Sequence, residues 1–159
     1  MKAKVKRVKM AQYDIAQPPD ILKTVGLGSC LGIALYDKRN KIGGLVHVML
    51  PSANKNLKPA KYADTGIPLL IEEMEKIGAK KWNFEAKLVG GAKMFNVGMN
   101  NDNMKIGERN IKATKKILKQ ENIKISGEDV GEDFGRTMEF HTENGKVIIT
   151  SYQRDELIL

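Results

Sequence analysis

Residues 45–50, Leu-Val-His-Val-Met-Leu, carry apolar side chains on both alternating faces: Leu45 and Met49 flank His47 on one side, and Val46, Val48 and Leu50 line the other. Such a segment reads as a strand covered from both sides. Apolar-rich stretches at 5–15, 22–27 and 33–37 read as further strands, the last joined to 45–50 by a hairpin turn across 38–44. Past a loop over 51–60 the period changes. Ile67, Leu70, Ile71, Met74 and Ile77 recur at helical spacing, with Glu72, Glu73, Glu75 and Lys76 on the other side. Asp64 or Thr65 is expected to cap this helix, Pro68 to sit in its first turn and Gly78 to end it. A second helix is expected over 107–120, where Ile111, Thr114, Ile117 and Leu118 form one stripe and Lys112, Lys115, Lys116 and Lys119 the solvated remainder. Strands resume at 123–130, 137–142 and 146–152, the last two joined by the turn signal Asn144-Gly145. This order predicts a mixed α/β sandwich of the α+β type, not repeated βαβ units.

Composition narrows the picture. A chain of 159 residues, 42% apolar and 29% charged, can bury one ordinary core, so residues 1–159 are expected to form a single domain. Residues 1–10 alternate Lys or Arg with Ala and Val and lack the apolar run of a signal peptide. No later run approaches the ~20 apolar residues that span a bilayer. A cytoplasmic location without membrane insertion is expected. The net charge of +8, from 27 Lys and Arg against 19 Asp and Glu, concentrates in 2–9 and 105–124. A basic surface attracts acidic partners, although a solvated Lys/Glu surface produces the same count. Nucleic acid is disfavoured, because aromatics are only 6% of the chain and no zinc-finger or ribonucleoprotein motif is present.

The chemistry concentrates in two segments. Cys30 is the only cysteine, so no internal disulfide can form, and with His47 and His141 as the only histidines a structural metal is not expected. A lone cysteine is more often a packed hydrophobe than a nucleophile, so its neighbours decide. Gly28-Ser29 before Cys30 permits a sharp turn out of a strand. That turn would expose the sulfur and aim backbone N–H groups of Gly28, Ser29 and Cys30 at an oxyanion. A histidine centred in an apolar strand must satisfy both ring nitrogens internally or serve a site. The hairpin returns His47 toward Cys30, which makes a thiolate–imidazolium pair the expected arrangement, with the thiol ionised below the ~8.5 of a free cysteine. Thr24 is placed to orient the imidazole through its oxygen. Gly90-Gly91-Ala92-Lys93 lacks the spacing of a phosphate loop and reads as a tight strand end.

Thr24 with Gly26-Leu27-Gly28-Ser29-Cys30, followed by Gly-Gly-x-x-His-x-Met-Leu-Pro from Gly43 to Pro51, resembles the CheD family of chemoreceptor glutamine deamidases. Further matching pieces are Tyr62-Ala63-Asp64-Thr65, the run from Lys87 to Phe95, and Ile106-Gly107-Glu108-Arg109-Asn110. The resemblance implies a three-layer sandwich with mixed, largely antiparallel strands and flanking helices, and a catalytic group falling on Thr24, Cys30 and His47. It implies a cofactor-free hydrolase that converts receptor glutamines to glutamate, tuning chemotaxis adaptation, with glutamate methyl esters as a second substrate. The partners it implies are the helical cytoplasmic region of chemoreceptors and a CheC-type phosphatase; the alternative is a regulatory binder of that phosphatase with catalysis secondary. One departure stands out. The family has paired glycines before its late Gly-Arg, whereas this chain reads Gly131-Glu132 ahead of Gly135-Arg136. If that position needs a positive φ, Glu132 meets a steric penalty that glycine avoids.

Overall fold

Strands β4 (Leu31–Asp37) and β5 (Ile42–Val48) are buried along their whole length, the consequence of apolar residues on both faces. They pair antiparallel around the short turn 38–41. The computed structural model describes residues 2–53, 58–94 and 105–159. Of the sequence readings above, Met1, part of the 51–60 loop and Phe95 lie outside the described residues. The long strand expected over 5–15 is two: β1 (Val5–Arg7) and β2 (Tyr13–Ala16), which belong to different sheets. Ala11, at φ 60, turns the chain between them.

The remaining strands are β3 (Ile21–Leu27), β6 (Phe84–Gly90), β7 (Lys124–Val130), β8 (Arg136–His141), β9 (Val147–Ser151) and β10 (Arg154–Ile158). One five-stranded sheet runs β1-β3-β8-β9-β10 and the other β2-β5-β4-β6-β7. Most pairings are antiparallel; β1 with β3 and β6 with β7 are parallel. Helices α1 (Ala63–Lys76) and α2 (Ile106–Gln120) cover the second sheet. Ile33, Leu35, Val46 and Val48 meet Ile67, Leu70, Met74 and Leu118 there. The opposite faces of β4 and β5 meet the first sheet through Ala34, Tyr36, Leu45, Met138 and Phe140. The layers are therefore sheet, sheet, helices, an α+β sandwich with α1 and α2 on one side among the described residues. No helix among the described residues is long and apolar enough to cross a membrane.

The capping of α1 differs from expectation. Tyr62 precedes the helix without a side-chain cap. The Asp64 carboxylate instead accepts from the Ala53 N–H at 3.0 Å, and the Thr65 hydroxyl donates to the Pro59 carbonyl at 2.6 Å. Both oxygens are used to secure the chain that leads into the helix. Pro68 lies beyond the first turn, and Gly78 at φ 105 ends the helix as expected. Ile77 falls off the buried stripe and is exposed.

Candidate active site

Thr24 and His47 meet at one end of the space between the sheets, and Cys30 packs into the same space without a hydrogen bond to His47 Nε2. His47 lies directly across from Gly32 in β4, and Cys30, just before that strand, sits among the apolar residues between the sheets. Thr24 reaches this space from β3 in the opposite sheet. Its Oγ1 is 2.7 Å from His47 Nδ1 and donates to the Val8 carbonyl at 2.6 Å. A hydroxyl has one proton, and a carbonyl only accepts. Thr24 therefore spends its proton on Val8 and can only accept from His47. This fixes the neutral imidazole with its proton on Nδ1 and the lone pair on Nε2, the form a general base needs.

The break between β1 and β2 makes this contact possible. Val8 N–H donates to the Lys23 carbonyl at 2.7 Å, next to Thr24 in one sheet, while Ala11 and Gln12 bond the backbone of His47 in the other, both at 3.0 Å. A continuous strand over 5–15 would have stayed in one sheet. The crossing segment ties Thr24 and His47 to each other's layers.

Cys30 is not the exposed sulfur that the Gly28-Ser29 turn suggested. It is only 9% exposed and packs with the apolar residues between the sheets. Burial pushes its thiol up from the ordinary value, and its own backbone N–H pulls the other way without cancelling the effect. Burial also lowers His47, to about 4. Both shifts oppose charge and so weigh against the expected ion pair in the free protein. His47 Nε2 is buried and has no hydrogen-bond partner among the described residues.

The Cys30 turn is clasped from outside. Gly28, Ser29 and Cys30 present three successive carbonyls, and these accept from the Ala92 N–H at 2.8 Å, the Asn110 Nδ2 at 2.9 Å and the Gly91 N–H at 2.9 Å. The Gly28 N–H is itself spent on the Gly26 carbonyl at 3.1 Å, so it is not free for the oxyanion role expected of it. Gly90 has to be glycine: its φ is 114, and a Cβ there would stand 2.4 Å from the Cys30 carbonyl oxygen. The Gly90-Gly91-Ala92 strand end is thus the wall of the site. Asn110, buried on α2, was missed as a site residue because an asparagine on a lysine-rich helix reads as surface; its place in a matching motif piece was the available signal.

Glu132 adopts φ 60, the left-handed region anticipated for that position, beside Gly131 at φ 81. The loop is held by the Lys93 N–H on the Glu132 carbonyl at 2.8 Å and by Arg136, which donates to the Gly131 carbonyl at 2.9 Å and pairs with Asp129 at 3.1 Å. Next to it opens a cavity of about 520 Å³ lined by Gly26, Met94, Phe134, Thr137 and Tyr152. Met94 is also the side chain nearest to Gly28, so the cavity adjoins the Cys30 turn.

Comparison with known proteins adds independent findings. A family model described as CheD chemotactic sensory transduction matches residues 49–151, a span that begins just beyond His47. A probable chemoreceptor glutamine deamidase CheD of Caldanaerobacter subterraneus is 51% identical over 152 residues, covering 94% of each chain. The chemoreceptor glutamine deamidase CheD of Halalkalibacterium halodurans is 44% identical over 156 residues, 96% of each chain. A probable enzyme of the same description from Clostridium novyi is 51% identical over 146 residues, 90% of each chain.

Proposed function

Because the chain belongs to the CheD family, we propose that it deamidates glutamines of chemoreceptors, with Cys30 as nucleophile, His47 as general base and Thr24 as the residue that orients it. The observation that carries the assignment of roles is the Thr24–His47 contact of 2.7 Å, whose direction is forced by Val8 and which leaves Nε2 unprotonated.

In this mechanism Nε2 takes the thiol proton as Cys30 sulfur bonds to the carboxamide carbon. The carbonyl π electrons move to oxygen, and the oxyanion is held by the N–H groups of Cys30 and Ser29. The Nε2 proton then passes to the amide nitrogen, the C–N bond breaks and ammonia leaves a thioester. Water gives a proton to Nε2 and attacks the thioester carbon. The C–S bond breaks, sulfur recovers the proton, and a glutamate side chain departs. A glutamate methyl ester would follow the same course with methanol leaving. No group outside the chain is needed for any of these steps.

The substrate region is the helical cytoplasmic part of the receptor, reached by a cytoplasmic enzyme that acts as one domain over 1–159. Its helix would lie across the cavity beside the Cys30 turn. The second reading, a binding partner of a CheC-type phosphatase with catalysis secondary, is disfavoured by the intact Thr24–His47 contact, which regulation alone would not require. Mass spectrometry of a folded receptor cytoplasmic fragment incubated with the protein tests the proposal. Conversion of particular glutamines to glutamate is expected, and an unmodified fragment would refute it.

A further inference from the structure

The three carbonyls of the Cys30 turn are held in different ways. Gly28 and Cys30 are held by backbone N–H groups, which any sequence would supply, and Ser29 is held by a side chain, that of Asn110. A trans peptide points its N–H opposite to its carbonyl. Whatever fixes the Ser29 carbonyl therefore fixes the Cys30 N–H on the other side of the same plane. That N–H belongs to the residue whose sulfur would carry the adduct, and it favours the thiolate.

Asn110 is well placed for this task. It is fully buried, and its two amide protons go to Ser29 at 2.9 Å and to the Met49 carbonyl at 3.1 Å. One amide thus joins the residue before Cys30 to the strand end that follows His47. Its Oδ1 is buried with no partner among the described residues. Turning the amide over would set that oxygen against two carbonyl oxygens, so the donor orientation is the only one available. The start of α2 cannot shift to relax the contact. A Cβ on Gly107 would stand 2.5 Å from the Gly91 and Ala92 carbonyl oxygens, and one on Gly91 2.6 Å from Ile111. The helix is pressed against the same strand end that grips Gly28 and Cys30.

We infer that Asn110 is a positioning residue for the deamidation, locking the Ser29–Cys30 peptide so that the Cys30 N–H points at the developing oxyanion. This inference rests on the reading of Cys30 as nucleophile. Without the Asn110 amide the peptide can rotate, and in the rotated form the Ser29 carbonyl would face the oxyanion with like charge. Removing an oxyanion donor outright lowers kcat by about 10²–10³-fold, so loosening its aim should cost on the order of 10–100-fold.

The test compares Asn110→Ala and the isosteric Asn110→Asp with the wild-type chain, on a folded receptor cytoplasmic fragment and on iodoacetamide. The expected result is a fall in kcat of about 10–100-fold with KM changed less than about threefold. Alkylation of Cys30 forms no oxyanion, so its limiting rate at high pH should stay within about twofold. Its midpoint should move to higher pH, because the N–H that favours the thiolate is no longer held in place. Unchanged kcat in both variants would overturn the inference, as would a rise in KM with a changed limiting alkylation rate. Collapse of the fold in both would also overturn it, by making Asn110 a stability residue. Cys30→Ala separates the two levels: retained deamidation there defeats the nucleophile assignment itself, whereas an inactive Cys30→Ala beside a fully active Asn110→Ala defeats only the positioning role.

Discussion

β4 leaves the Cys30 turn at one end of the sandwich and reaches Asp37 at the other, and the two ends treat buried polar groups in opposite ways. At Asp37, burial alone would raise the carboxyl. Hydrogen bonds from the Asn40 side chain and from the N–H groups of Asn40, Lys80 and Arg39, at 2.8–3.0 Å, overcome that effect and hold it below the ordinary carboxylate value. Nearby, the Tyr36 hydroxyl donates to the Thr142 carbonyl at 2.8 Å. At the Cys30 end, His47 Nε2, Asn110 Oδ1 and Arg136 Nη2 are buried without partners among the described residues. Glu132 there adopts a backbone conformation that suits glycine. Hydrogen bonding saturates the Asp37 carboxylate, although His141 Nε2 beside Thr142 is also buried without a partner among the described residues, whereas three such groups gather near the candidate site.

Substitutions should separate the two ends. The largest effect is expected from Cys30→Ala, which should reduce deamidation of a receptor fragment by more than about 10³-fold while changing unfolding free energy by no more than about 1 kcal/mol. Substantial turnover in that variant, measured by mass spectrometry, would break the contrast at its root. Asp37→Ala should do the reverse. Losing a carboxylate that satisfies several buried donors should cost about 3 kcal/mol in urea unfolding, with kcat altered less than about twofold.

Acid should expose a third difference. His47 titrates near 6.5 when unfolded and at about 4 in the fold, so its contribution is fully present above pH 6.5. As pH falls from 6.5 toward 4 the unfolded chain gains a proton that the native chain does not, and up to about 3 kcal/mol of stability is lost. His47→Gln should lack this part of the acid sensitivity. Parallel pH–stability curves for the two proteins would refute the buried neutral imidazole. The smallest effect concerns Glu132→Gly, expected to raise stability by up to about 1 kcal/mol by relieving the left-handed backbone. A loss of stability would mean that the Glu132 side chain makes a favourable contribution larger than the strain.

What the sequence disclosed follows from how local each signal is. The two-faced pattern of 45–50 identified a doubly covered strand, and a hairpin was enough to bring His47 back toward Cys30. The break at Ala11 was invisible, since an alanine between two apolar stretches carries no turn signal and adopts φ 60 only because both sheets claim its neighbours. β6 alternates apolar and charged residues from Phe84 to Leu88 and was legible as a strand, although only its glycine end drew attention. β10, Arg-Asp-Glu-Leu-Ile, is a polar edge strand without that pattern. The burial of Cys30, and with it the upward push on its thiol, depends on residues 90–92 and on α2 folding over the turn, which no local reading of Gly28-Ser29 contains.

The Thr24–His47 contact also bears on the order in which the chain becomes competent. Its partners are 23 residues apart, Thr24 and Val8 are 16 apart, and Asn110 reaches Ser29 and Met49 across 81 and 61 residues. Loop-closure cost rises with separation, so the contacts of Asn110 form late when a chain collapses. On the proposed mechanism, Cys30 then acquires its base, and the base its correct proton, only after both sheets and α2 have docked. A half-folded chain, with its single thiol accessible, would still lack the aligned imidazole, so catalytic competence coincides with completion of folding.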